Sequence, residues 1–168
     1  MTAQPESKKR YLGIDPGLNR TGYAIVERGP HGPILLEGGV IQSTQKLSLA
    51  QRVLEIGDGL KEVIAEHQPG VIAVEQVFSF GKNPRTSLLM AHARGAILMT
   101  AAAAHVPVIH FSPTQIKKLL TGSGRASKEQ IQQAVRNELR MTEVLEPNDV
   151  ADASAVAICV SYSMKFAA

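Results

Sequence analysis

Residues 11–26 read YLGIDPGLNRTGYAIV, and the rest of the chain is organised around them. The apolar run Tyr11, Leu12, Ile14 ends in the carboxylate of Asp15, and Pro16-Gly17 turns the chain at once. A second apolar run, Tyr23 to Val26, follows a short polar turn. Two such runs divided by a turn signal predict a β-hairpin, with Asp15 at the open end of its first strand. An Asp before Pro-Gly has a simple use in starting a turn. It becomes a metal ligand only if other carboxylates reach it.

At 168 residues the chain is long enough for one domain with a sizeable core. It has no Trp and few aromatics, so that core must be built from Ala, Val, Ile and Leu. The single Cys159 excludes an internal disulfide and reads as a small core residue in a reducing compartment. The N-terminal MTAQPESKKR has charge but no apolar stretch behind it, so no secretory signal is expected. The longest apolar stretch, residues 96–109, is cut by His105 and Pro107 and is too short to span a bilayer. A cytoplasmic protein is expected, with residues 1–9 a flexible lead-in and residues 10–168 a single domain.

Strands are predicted at 10–15, 22–27 and 34–42, joined as an antiparallel meander. Ser48 and Gln51 have capping-box spacing and open a helix, in which Leu49, Val53, Ile56, Leu60 and Val63 should face the sheet. Gly57 and Gly59 each cost that helix about 1 kcal/mol; either they permit close packing or the helix bends there. After Pro69-Gly70, VIAVEQV (residues 71–77) is almost continuously apolar and β-branched, as in a central strand covered on both faces. Its exception is Glu75, a carboxylate costly to bury without compensation.

A loop at 78–84 carries Phe78, Phe80 and Lys82, with Arg85 following. Aromatics among cations can stack on bases or tuck back onto the core, and the sequence leaves both open. The helix predicted over 85–105 is apolar around most of its circumference, unlike a surface helix. It packs either against a second copy of the chain or between layers of its own domain. A fifth strand is predicted at 106–111. Ser112-Pro113-Thr114-Gln115 is a second capping box and opens a short helix bearing Lys117 and Lys118. The loop TGSGRA (121–126) contains Arg125 but no Gly-Lys-Ser/Thr, which excludes a P-loop. Ser127 and Gln130 cap a further helix that carries Lys128. The last helix, predicted over 147–166, has Asp149 and Asp152 on one face near its start. A helix dipole accounts for Asp149; Asp152, followed by an apolar run, is harder to explain that way.

Charge is distributed unevenly. Between Phe80 and Arg140 nine cations face two carboxylates, a net of +7 that leaves −4 for the remainder of a chain whose total is +3. A basic half beside an acidic one fits a polyanion held next to a carboxylate site; a solvated basic helix face has the same pattern. The element order gives an α/β fold, a mixed five-stranded sheet with helices on both faces. In such a sheet Asp15 and Glu75 can be neighbours, and the last helix can bring Asp149 and Asp152 to them. Four carboxylates together need cations, and hard oxygen donors select Mg²⁺ or Mn²⁺. Two ions about 3.5–4 Å apart suit phosphodiester hydrolysis. The five histidines lack zinc spacing.

GIDPG with the following TGY, IAVEQVF, the Ala-rich helix, SPTQIKK and the DVADASAVAI run, in that order, resemble the RuvC family of Holliday-junction resolvases. The resemblance covers nearly all of residues 11–162. It implies a ribonuclease-H-like fold and a homodimeric, Mg²⁺- or Mn²⁺-dependent endodeoxyribonuclease. Such an enzyme makes paired nicks in four-way junctions during recombination and repair, leaving 5′-phosphate and 3′-hydroxyl ends. By the resemblance Asp15, Glu75, Asp149 and Asp152 form the acidic site, Phe78 stacks on an unpaired base, and Lys117 and Lys128 contact phosphates. Lys82, Arg85, Lys118 and Arg125 complete the expected DNA-binding set, and the RuvA–RuvB branch-migration complex is the expected partner. The alternatives are a nuclease of the same fold acting on other branched DNA, or an actin-like phosphotransfer ATPase. The latter needs a second domain for which 168 residues leave no room.

Overall fold

The computed structural model describes residues 9–76 and 83–164. The elements in order are β1 (Arg10–Asp15), β2 (Arg20–Gly29), β3 (Gly32–Gln42), α1 (Leu49–His67), β4 (Val71–Glu75), α2 (Pro84–Ala103), β5 (Val108–Phe111), α3 (Pro113–Thr121), α4 (Lys128–Glu138) and α5 (Asn148–Ser163). One sheet has the strand order β3-β2-β1-β4-β5. The first three strands form the expected antiparallel meander, while β1 with β4 and β4 with β5 pair in parallel. The predicted mixed five-stranded sheet is therefore present. β4 stops at Glu75, short of the expected end at residue 77, whose position lies outside the described residues. The last helix is described to Ser163; the rest of its predicted span to residue 166 also lies partly outside them.

Helix starts follow the local chemistry. Ser48, Ser112 and Ser127 each close a full capping box, with Gln51, Gln115 and Gln130 as partners. Each box satisfies two backbone N–H groups that a helix start otherwise leaves unpaired. These three helices therefore begin where serine and glutamine dictate, while α2 is capped at its start by Asn83, whose side chain accepts from the Thr86 N–H.

The period of two along each strand divides the core between the two faces of the sheet. Leu12 and Ile14 of β1, with Ile72 and Val74 of β4, pack against Ile56 and Leu60 of α1 and Ile97 of α2. Tyr11, Val71 and Ala73 point the other way, toward Ile116 of α3, Val135 of α4 and Val156 of α5. Burying each Leu or Ile stabilises the fold by about 1.5–3 kcal/mol. Cys159 is fully buried on the α5 side, as its apolar context implied, and burial pushes its thiol pKa up to about 12.

Two details of α1 differ from, or resolve, what the sequence predicts. Leu49 does not face the sheet: it stands at the first helical position and is 42% exposed, so the apolar row begins at Val53. Gly57 and Gly59 serve close packing, since α1 runs unbroken past both. A Cβ on Gly59 would lie 2.6 Å from Cγ2 of Ile41. α2 buries Ala93, Ala96, Ile97, Thr100 and Ala101 against its own domain, yet Leu88 and Met99 are 63% and 67% exposed. It is not enclosed within the domain. Among the described residues no helix is long and apolar enough to cross a membrane.

Candidate active site

Asp15 is the last residue of β1, and the turn behind it is braced. The Thr21 hydroxyl donates to the Gly17 carbonyl at 2.8 Å and is fully buried. Ser43 N–H donates to the Asn19 carbonyl at 3.1 Å. Strand parity aims the Asp15 side chain: Tyr11 lies against α5, so residues 13 and 15 share its face. On β4 the same parity aims Glu75 there with Val71 and Ala73. The parallel register sets Leu12 beside Ile72 and Ile14 beside Val74, so Asp15 and Glu75 end adjacent strands at one level.

α5 crosses this face. Gly13 allows it to come close, because a Cβ there would stand 2.2 Å from the Ala153 carbonyl oxygen and 2.4 Å from the Ala157 nitrogen. Every residue of α5 from Val150 to Ser161 is buried except Asp152. Asp152 therefore opens from an apolar helix onto the strand ends that carry Asp15 and Glu75. It lines a cleft of about 300 Å³ with Glu75, Lys117 and Lys128, floored by Ile116 and Ile131. Lys128 Nζ lies 3.6 Å from Asp152 Oδ2.

The electrostatics report the same convergence. Burial raises the Asp15 pKa to about 7, and the charges of Asp152, Glu75 and Asp149 push in the same direction against Lys128. Glu75 is raised by burial and then by Asp152, with Lys117 opposing. Asp152 is raised by burial, with Lys128 opposing and Asp149 adding. Three acids thus form the centre. Asp149 stands at its margin, where its Oδ2 accepts a hydrogen bond from Arg20 Nε at 2.9 Å.

The donor set is all carboxylate, desolvated and short of positive charge. That suits a hard divalent cation such as Mg²⁺ or Mn²⁺. No three of the four acids bring donor atoms within 4.8 Å of one another, so they do not form a tight single-ion cage. Among the described residues, the three potential ligands whose donor atoms lie within 4.8 Å of one another are instead Glu37, Glu66 and His67. Tyr23 donates to Glu37 Oε1 at 2.6 Å there. Tyr23 and Gly22 point to opposite faces of β2, so this group lies across the sheet from Asp15.

The remaining expected DNA-binding residues are dispersed. Lys118 is exposed on α3, Arg125 in the loop before α4, and Arg85 in the first turn of α2. Phe78, Phe80 and Lys82 lie outside the described residues. Two residues at the site were missed by sequence reasoning, Gly13 and Arg20. Gly13 carried a signal, since an isolated glycine in a strand often marks close backbone approach. Arg20 carried none, because its partner lies 129 residues away.

Comparison with known proteins gives a consistent picture. The family model for crossover junction endodeoxyribonuclease RuvC matches residues 11–160. A crossover junction endodeoxyribonuclease RuvC of Rhodopirellula baltica is 51% identical over 162 residues, covering 96% of this chain and 91% of that protein. One from a Roseiflexus strain is 42% identical over 154 residues, covering 92% and 91%. The solved Thermus thermophilus RuvC in complex with Holliday junction substrate is 32% identical, with a TM-score of 0.87, covering 95% of this chain and 96% of that one.

Proposed function

The chain belongs to the RuvC family of crossover junction endodeoxyribonucleases and is accordingly a Holliday-junction resolvase; we propose that it cuts by metal-dependent hydrolysis at Asp15, Glu75, Asp149 and Asp152. The observation that carries this is the β1–β4 register, which sets Asp15 beside Glu75 under the Asp152 turn of α5. Bound there, two Mg²⁺ or Mn²⁺ ions would polarise the scissile phosphate and acidify the attacking water. The four carboxylates supply the negative charge that retains such ions. Lys117 and Lys128 flank the cleft and would take the phosphate oxygens, placing the backbone and stabilising the charge that builds on it. Water attack with cleavage of the P–O3′ bond leaves a 5′-phosphate and a 3′-hydroxyl. Phe78, with Lys82, Arg85, Lys118 and Arg125, completes the proposed DNA contact set, Phe78 stacking on an unpaired base.

Symmetric cutting requires two sites, and the proposal includes a homodimer. Its support is the exposed apolar face of Leu88 and Met99 on α2, beside a groove of about 530 Å³ lined by Val53, Leu54 and Gly57 of α1 and Met99 and Thr100 of α2. A cytoplasmic location and cooperation with the RuvA–RuvB branch-migration complex belong to the same proposal.

The test is a mobile four-way junction incubated beside a matched linear duplex, with and without Mg²⁺ or Mn²⁺. Paired incision of the junction alone, abolished by chelation, is expected. Cutting that persists in chelator, or that does not prefer the junction, overturns the mechanism.

A further inference from the structure

β2 carries Arg20 and Gly22 two residues apart, so both address the same face of the sheet. Gly22 meets α5 directly: a Cβ there would stand 2.2 Å from the Asp149 carbonyl oxygen and 3.0 Å from the Asp149 Cβ. The backbone of Asp149 is thereby seated on the strand, and only its side chain is free to choose a partner. That partner is Arg20, whose Nε donates to Oδ2 at 2.9 Å. Asp149 thus differs from the three central acids. Its cation is a guanidinium at 2.9 Å, closer than the 3.6 Å between Lys128 and Asp152.

The charge count makes this consequential. Four ionised carboxylates offer −4. Arg20 on Asp149, Lys128 beside Asp152 and Lys117 acting on Glu75 oppose three of these charges, so each cation that stays in place weakens the hold on a second divalent ion. A second ion that takes Asp149 Oδ2 must displace the guanidinium, and one that takes Oδ1 meets its positive charge across the same carboxylate. We infer that Arg20 is a positioning residue that holds the Asp149 limb of the site closed to a second divalent cation until it is displaced. Arg20 is 43% exposed and Asp149 30% exposed, so exchange requires no repacking of the core. The guanidinium so released is suited to a phosphate oxygen, which links loading of this limb to arrival of the DNA backbone. This inference rests on the four acids being a metal site.

The test is titration of the DNA-free protein with Mn²⁺, followed by the electron paramagnetic resonance of free ion and by calorimetry. The wild-type chain is expected to bind one ion more tightly than the second. Arg20→Gln should tighten the second about three- to tenfold and leave the first unchanged, as removal of one partly exposed competing charge implies. Arg20→Lys, which keeps the charge, should remain close to wild type. In an Asp149→Asn background Arg20→Gln should have no effect on Mn²⁺ affinity. Equal second-ion affinity in wild type and Arg20→Gln overturns the role of Arg20 while leaving the metal site intact. A gain that survives in the Asp149→Asn background overturns it as well. Absence of Mn²⁺ binding in both proteins overturns the metal site, and the role of Arg20 with it.

Discussion

Gly13 of β1 and Ala153 of α5 touch backbone to backbone: a Cβ on residue 13 would lie 2.2 Å from the Ala153 carbonyl oxygen. This contact seats Asp152, one residue earlier on α5, over the end of the strand that carries Asp15. The atom in the way is backbone, so a side chain at residue 13 cannot be accommodated by a rotamer change.

Gly13→Ala is therefore expected to destabilise the protein by about 3 kcal/mol, at the upper end for overpacking. Urea unfolding monitored by circular dichroism measures this as a lowered midpoint. Cutting should fall further than the unfolded fraction explains, because α5 must shift and carry Asp152 with it. A midpoint within experimental error of wild type would refute the close seating.

Asp15 predicts an inverted pH dependence in metal-free protein. Its folded-state pKa, about 7, lies above the ordinary value of 3.8. The folded state thus holds the proton more tightly than the unfolded state. The stabilisation is fully present below pH ~4 and is lost as pH rises through about 7. Asp15→Asn should leave stability at pH 4 little changed and raise it at pH 8 by about 2–4 kcal/mol. Thermal melts in chelator at the two pH values check the sign.

Leu88→Glu places a charge on the exposed apolar face of α2, 63% exposed in the single chain. Sedimentation equilibrium is expected to show monomers of unchanged helix content. Nicks in the two strands of a junction should then become independent. Concerted cutting by this variant would place the subunit interface elsewhere.

Lys128 lies 3.6 Å from Asp152 and opposes the raised pKa of both Asp15 and Asp152. Lys128→Ala should cut about 10²-fold more slowly, in the range for loss of one transition-state donor. Junction affinity should change only a few-fold, because the other cations remain. A gel-shift titration beside single-turnover cutting separates the two effects. An equal loss in both would assign Lys128 to binding alone.

Much of this molecule was legible in local sequence. The capping boxes at Ser48, Ser112 and Ser127, the strand runs and the carboxylate at each strand end depend on residues a few positions apart. Glu75 was identifiable because it interrupts an apolar run that gives it no local reason to be charged, whereas Asp15, which a turn explains locally, stood out only beside the other carboxylates. Where the local pattern is weaker, the outcome differed. Leu49 extends the helical apolar row by one position, yet it stands at the first position of α1 and remains exposed.

The sequence by itself determined which residues form strands and helices, and through the resemblance it offered Glu75, Asp152, Lys117 and Lys128, which line the cleft, as site candidates. Those facts reside in periodicity, capping and turn chemistry, which act over short distances along the chain. Only the tertiary structure decided how the acids differ from one another. Asp15, Glu75 and Asp152 share a desolvated centre because parallel register and the contact at Gly13 superimpose three distant segments. Asp149 sits at the edge on Arg20 because β2 presents residues 20 and 22 to α5 together. Field strength and ion pairing depend on distances through space, and those are fixed only once the sheet has assembled and α5 has packed against it.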